Sequence, residues 1–412
     1  MSTKLWLTAI AAFSGVAIAA EAPNNVALSV KETNGIRRFA YPVGVRVPFP
    51  QGALASAANA RLEFTGKEVP AQYTDEAKWP DGSVQWLAVN FNANIGPNET
   101  QTYQLQYGPD VKPGPLPRGL IVTEDTDAIQ VGSVRFSKSG VPLVLSVKYR
   151  NEDLGKAGGS FAIADAAGKV FDVKSAEPPK LEILKRGPLD VMLRYTGRLA
   201  VDTNYSAPFV ITVEMPNGKT WIKVTAQVDD PGKRLREISY QTALSLGPLP
   251  WVWDFGTERW TYGSLRNPSD SVVLTETMNA PGTVDWQISS GPKGKEQAYE
   301  VGGVGRGSKM IRWGHIQDGK EVIALAVDGN PDLPGRYQLA LDGEGGTSIR
   351  FAAARPSTQH ELTIYEHFIP TPVQIGAVTS PTSMLSQLVA TCDPKQFLLS
   401  RVQVPRKSKK GR

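Results

Sequence analysis

Apolar and polar residues alternate with a period of two along most of this chain, and that period predicts strands. Tyr103, Leu105 and Tyr107 alternate with Thr102, Gln104 and Gln106, and Leu189, Val191, Leu193 and Tyr195 alternate with Asp190, Met192 and Arg194. Phe209, Ile211, Val213 and Met215 oppose Val210, Thr212 and Glu214. After Pro216-Asn217-Gly218 the run Ile222, Val224, Ala226, Val228 opposes Lys223, Thr225 and Gln227, so these two runs read as a hairpin. One apolar and one polar face per strand, with Gly and Pro abundant between strands, predicts an all-β chain of antiparallel sheets packed as barrel or sandwich. A helical period appears only near the end. Ser383 caps a short predicted helix with Met384, Leu385, Leu388 and Val389 on one stripe, stopped by Asp393-Pro394.

The most informative stretch is Lys78 to Phe91. Pro80 presets φ at the second position of a turn, Asp81 can bond the backbone two residues on, and Gly82 tolerates positive φ where the chain reverses. The strand that follows places Val84, Trp86 and Ala88 on one face and Leu87, Val89 and Phe91 on the other, so it needs cover on both sides. Any antiparallel sheet can use such a corner to set its register.

Trp79 to Trp86, preceded by Tyr41-Pro42-Val43-Gly44-Val45-Arg46-Val47-Pro48-Phe49-Pro50-Gln51-Gly52-Ala53-Leu54 and by Val69-Pro70-Ala71-Gln72, resembles the amino-terminal RIFT-type β-barrel of the exo-rhamnogalacturonan lyase-like family. The resemblance implies a small barrel, then a large β-sandwich, and action on pectic polysaccharide. In that family an α/α toroid follows and carries most of the catalytic cleft. Asp393-Pro394-Lys395-Gln396-Phe397 looks like its starting point, but the chain stops within twenty residues. The resemblance therefore covers the two β domains, and no catalytic residue carries over.

The domains expected are a signal peptide at 1–20, a RIFT-type barrel at 25–108, a Pro/Gly linker at 109–119, and a sandwich at 120–371. A C-terminal extension with the short helix follows at 372–404, then a basic disordered tail at 405–412. The linker rests on four prolines and three glycines between Gly108 and Gly119, which cannot continue a ladder. The leader rests on Lys4, the apolar run Leu5 to Ile18, and small residues at Ala17-Ile18-Ala19. It predicts a secreted protein, and no segment approaches the ~20 apolar residues of a spanning helix. About 390 residues remain, enough for two or three domains with their own cores.

Composition narrows the function classes. Cys392 is the only cysteine, so no intrachain disulfide and no thiolate zinc site is possible. The last eight residues hold five of the basic groups behind the formal charge of +5 and no acidic one, so the body is neutral. That argues against a nucleic-acid partner; the tail is either solvated or a contact to an anionic surface.

Candidate chemistry is sparse. His315, His360 and His367 are the only histidines. In Gln359 to His367, strand parity puts Glu361, Thr363 and Tyr365 on one face and His360, Leu362, Ile364 and Glu366 on the other. Asp328-Gly329-Asn330-Pro331-Asp332 opens like a calcium loop, but Leu339 stands where the bidentate carboxylate belongs. Gly303 to Lys309 lacks phosphate-loop spacing and reads as a glycine-rich hairpin loop. No cofactor or metal is expected. The strongest binding candidate is Trp251 to Tyr262, where flat rings suit the C–H face of a pyranose. Asp254, Glu258 and Arg259 could bond hydroxyls or a uronate there. Trp251 and Trp253 share parity and are equally readable as core. The candidate carbohydrate-binding residues are Trp79, Asp81, Trp253, Asp254, Glu258, Arg259, Trp260 and Tyr262; no catalytic residue is assigned.

The reading is a secreted, polysaccharide-associated protein that binds a pectic or other acidic glycan without cleaving it. A reduced lyase or glycoside hydrolase working between barrel and sandwich, and a structural cell-surface protein, remain the alternatives.

Overall fold

The computed structural model describes residues 24–116, 119–149, 152–155, 158–172, 177–219, 221–256, 261–280, 283–299, 306–307, 312–319, 322–329, 333–369 and 383–399. The expected signal peptide and basic tail lie outside them. The fold is all-β, as the alternation predicts, with every strand pair antiparallel apart from one isolated bridge.

A small barrel comes first, built from two sheets. One has the order Ala390–Cys392, Asn24–Lys31, Thr100–Tyr107, Ala60–Phe64, Lys67–Glu68; the other is Arg38–Pro48, Val84–Ile95, Ala71–Lys78. The Pro80-Asp81-Gly82 corner joins the last two strands. Trp79 N–H donates to the Ser83 carbonyl at 2.8 Å, and Gly82 takes φ 83°. Leu87, Val89 and Phe91 then point into the barrel core beside Val26, Leu28, Val47 and Leu105. The opposite face carries half-buried Trp86, with the Arg46 guanidinium 5.1 Å from its ring centre.

Residues after Tyr107 leave the ladder and are tacked to the barrel. Asn59 donates to the Pro109 carbonyl at 3.1 Å, and Val111 is buried. The strands from Val122 onward form a five-stranded sheet, order Glu152–Gly155, Val144–Tyr149, Val134–Ser137, Ala128–Val131, Val122–Glu124. The expected single sandwich thus has an extra layer, and its apolar residues, among them Ile129, Phe136 and Val147, join the same core.

The sandwich proper stacks two nine-stranded sheets. One runs Val170–Asp172, Ser160–Asp165, Leu235–Ala243, Gly346–Ala353, Gly335–Asp342, Asp270–Ala280, Thr283–Pro292, Gln297–Ala298, with Arg306–Gly307 also on Thr283–Pro292. The other runs Lys180–Arg186, Asp190–Asp202, Tyr205–Pro216, Trp221–Asp229, Gln359–Ile369, Val322–Asp328, Trp313–Gln317, Trp251–Phe255, Thr261–Leu265. The predicted hairpin is there, with Val213 opposite Val224 and Gly218 at φ 79° in its turn. The parity read for Gln359–Ile369 also holds: Leu362 and Ile364 enter the sandwich core, whereas Tyr365 joins the barrel core.

The end of the chain departs from expectation. Only 383–385 are helical at the predicted position; the chain then extends, and Ala390–Cys392 pairs with the first strand, Leu28 opposite Cys392. Asp393-Pro394 does not stop a helix but starts one, Gln396–Leu399, with Lys395 N–H donating to the Asp393 carboxylate at 2.9 Å. A free strand edge outcompetes helical propensity in so short a segment, because a single turn has almost no intrinsic stability.

Burial pushes the Cys392 thiol up to about 11, with Asp393 adding repulsion of the thiolate. At pH 8 the thiol therefore reacts with a disulfide reagent at least about tenfold slower than free cysteine. A rate equal to free cysteine would mean that the strand detaches. No helix among the described residues is long and apolar enough to cross a membrane.

Candidate functional site

The outer face of the second nine-stranded sheet packs on the barrel: Trp221, Trp313, Ala324, Ala326 and Tyr365 bury themselves among barrel residues. Farther out on that sheet, toward Lys180–Arg186, the two bodies part. Alternation there presents Lys223, Glu214, Asp190 and Lys185 to the gap, because their strand neighbours Val224, Val213 and Val191 are inside the sandwich. The barrel contributes Tyr41 to Gly44 and Asn90 to Asn92, and the returning C-terminal segment contributes Gln387, Leu388 and Val389. The result is a cleft of about 220 Å³. It continues past Gly44, Asn90, Lys185 and Val389 into an open groove of about 520 Å³ that also takes in Arg46, Glu76 and Thr391.

Its polar groups come in pairs. Lys185 is 3.0 Å from Asp190, Lys223 is 3.6 Å from Glu214, and Arg46 is 2.5 Å from Glu76. Asn90 has its place because position 44 is glycine: a Cβ there would sit 3.0 Å from Asn90 Oδ1. Tyr41 lines one wall with its hydroxyl donated to the Ser383 carbonyl; burial raises its pKa to about 12, so it stays a phenol. Val389 is 60 % exposed and adds to an apolar lining that includes Val43, Leu189, Pro216 and Leu388.

The residues singled out from sequence lie elsewhere. None of Trp79, Asp81, Trp253, Asp254 and Tyr262 lines the cleft, and Glu258, Arg259 and Trp260 fall outside the described residues. Trp79 is half-buried and donates Nε1–H to the Phe49 carbonyl at 3.0 Å. Asp81 is exposed, but its carboxylate accepts Ser83 N–H and Oγ–H, which hold its pKa below the usual range; it fixes the turn. Trp253 is 1 % exposed and faces the sandwich core, fitted against Gly263, where a Cβ would lie 2.4 Å from the ring. No ring face is left for a sugar. Asp254, also buried, is 3.1 Å from His315 Nδ1. Tyr262 is 52 % exposed.

The histidines are structural in position. His360 lies 3.5 Å from Asp230 with both buried, and burial lowers its pKa. Burial, Lys219 and His315 lower His367 to about 3, so it is neutral. No group of three metal-ligating side chains occurs among the described residues.

Sequence reading missed the cleft residues. Asn90 and Asn92 were visible as polar interruptions on the barrel strand, but nothing local shows that Lys185, Asp190, Glu214 and Lys223 converge on them.

Residues 34–108 match the PcRGLX-like N-terminal RIFT barrel domain. No curated protein matches the chain by sequence. Among solved structures, an alpha-mannosidase from Enterococcus faecalis V583 superposes with TM-score 0.56 at 10 % identity, covering 90 % of this chain and 46 % of that one. A glycosyl hydrolase family 38 protein from Enterococcus faecalis gives TM-score 0.57 at 9 % identity, covering 90 % and 47 %. The chain spans just under half the length of these two proteins. At such identity the likeness is one of fold: a barrel joined to a large sandwich.

Proposed function

We propose that this is a secreted protein that binds polysaccharide in the cleft between barrel and sandwich, without cleaving it. The observation that carries the reading is the cleft itself, in which donors and acceptors alternate beside exposed Val389, as a pyranose with hydroxyl rim and C–H faces requires. The RIFT barrel match at 34–108, and the fold likeness to an alpha-mannosidase and a glycosyl hydrolase family 38 protein, support carbohydrate as the ligand class. Cleavage is not part of the proposal: Asp190 and Glu214, the carboxylates of the inner cleft, each pair with a lysine, at 3.0 and 3.6 Å, and serve as acceptors for sugar hydroxyls.

Calorimetry against a glycan panel tests this. Asn90→Ala and Lys223→Ala should each weaken the bound glycan about tenfold, about 1.4 kcal/mol, with little change in melting temperature. Pectic fragments should yield no unsaturated-uronate absorbance. A blank panel, or binding indifferent to both substitutions, would overturn the assignment of the cleft.

A further inference from the structure

The charges that line the cleft cancel in place, and this discriminates among glycans. Among the described residues, its two lobes are lined by three cations, Lys185, Lys223 and Arg46, and by three carboxylates, Asp190, Glu214 and Glu76. Every cation is matched to one of those carboxylates at the distances given above. The inner pairs are partly desolvated: Lys185 and Asp190 side chains are 21 % and 15 % exposed, and Lys223 and Glu214 are 21 % and 34 % exposed. Separating such a pair costs more than separating one in water, since removing one partner leaves the other charge incompletely solvated.

From this we propose that the cleft selects a neutral glycan over a polyuronate; the inference rests on the binding reading above and specifies its ligand. Each uronate residue would bring a carboxylate into a groove whose cations are already engaged, and would meet Asp190, Glu214 and Glu76 as like charges. A neutral sugar meets no such opposition. Its hydroxyls accept from a lysine and donate to the adjacent carboxylate, so a vicinal diol can use both halves of one ion pair without breaking it. Beside the aromatic wall, but not lining the cleft, stand Arg38, whose guanidinium is 4.6 Å from the Tyr41 ring centre and paired with Glu32 at 3.2 Å, and Lys219. Lys219 Nζ donates to the Phe39 carbonyl at 2.8 Å and stands 5.7 and 5.5 Å from the ring centres of Tyr41 and Trp221.

The two lobes, 220 and 520 Å³, run on from one another past Asn90 and Lys185, so the ligand is a chain of sugars and not a single ring. The test is calorimetry with tetramers of galactose, mannose and xylose against the galacturonic acid tetramer, at low salt and again with salt raised about tenfold. A neutral tetramer should bind with less than about a twofold change in Kd between the two salts, and the uronate tetramer at least about tenfold more weakly.

The double variant Asp190→Asn, Glu214→Gln releases Lys185 and Lys223. It should gain about fivefold or more in uronate affinity at low salt, and lose that gain as salt rises. Tighter, salt-sensitive uronate binding by the unaltered protein would overturn the neutral-glycan inference while leaving the binding reading intact. No binding of any tetramer would remove the reading itself, and the inference with it. The comparison of the unaltered protein at two salts needs no variant, so a misfolded variant would not blunt the test.

Discussion

Removal of residues 383–399 should unfold the barrel. The segment buries Met384, Leu388, Ala390 and Phe397 in the barrel core, each at 5 % exposure or less. Phe397 packs against Phe49, with ring centres 5.1 Å apart. Three register pairs join Ala390–Cys392 to the first strand, Gln396 exchanges hydrogen bonds with both backbone groups of Ala27, and Arg38 donates to Ser386 Oγ at 3.0 Å. At about 1.5 to 3 kcal/mol for each large apolar side chain buried, the loss is on the order of 5 to 8 kcal/mol before hydrogen bonds are counted. That rivals the whole stability of an ordinary domain. Milder versions are Phe397→Ala and Leu388→Ala, expected to cost about 3 to 5 and 2 to 5 kcal/mol. Chemical denaturation followed by tryptophan fluorescence reads all three. A truncated chain that keeps the parent's cooperative midpoint would show that this segment does not hold the barrel.

The second large effect is on pH dependence. Glu366 points into the sandwich core at 1 % exposure and accepts the Tyr240 hydroxyl at 3.0 Å. Burial raises its pKa from 4.5 to about 7. Since the folded pKa lies above the unfolded one, the stability tied to the neutral acid is complete below about pH 4.5. It falls as pH rises through 7 and is level beyond. A shift of that size corresponds to about 3 kcal/mol.

His360 and His367 work in the opposite direction: burial lowers both folded pKa values, so they favour folding increasingly as pH rises toward 6.5. The parent curve mixes these contributions, and the difference between Glu366→Gln and parent isolates that of Glu366. That difference should grow in favour of the variant from pH 4.5 to 7 and reach about 1 to 3 kcal/mol at pH 8, with part of the gain offset by the changed bond to Tyr240. Parallel curves for the two proteins would sink the assignment.

Local periodicity gave most of the framework and none of the cleft. The Pro80-Asp81-Gly82 turn, the hairpin through Gly218 and the two faces of Gln359–Ile369 are written in residues a few positions apart, and all were readable. Trp253 shows where parity stops. Its alternation with Val252 and Asp254 was plain, but which face met the second sheet depended on Gly263, across a strand pair, leaving room for the ring. The cleft needs more still, because Asn90, Glu214 and Val389 come from the barrel, the sandwich and the returning end of the chain. The extra sheet from Val122 to Gly155 was hidden for a related reason: its strands alternate like any others, and only packing decides which layer they join.

The strand that closes the barrel is made long after the strand it pairs with. Until Ala390–Cys392 leaves the ribosome, Asn24–Lys31 is paired on one flank only, by Thr100–Tyr107. At roughly 5 to 20 residues per second, synthesis of the intervening chain takes on the order of tens of seconds. During that interval the first strand presents open N–H and C=O groups to any other extended segment, including the same strand of a neighbouring nascent chain. The nascent chain is therefore open to swapping and aggregation until residues 390–392 arrive, and slowed elongation through the sandwich would lengthen the exposure.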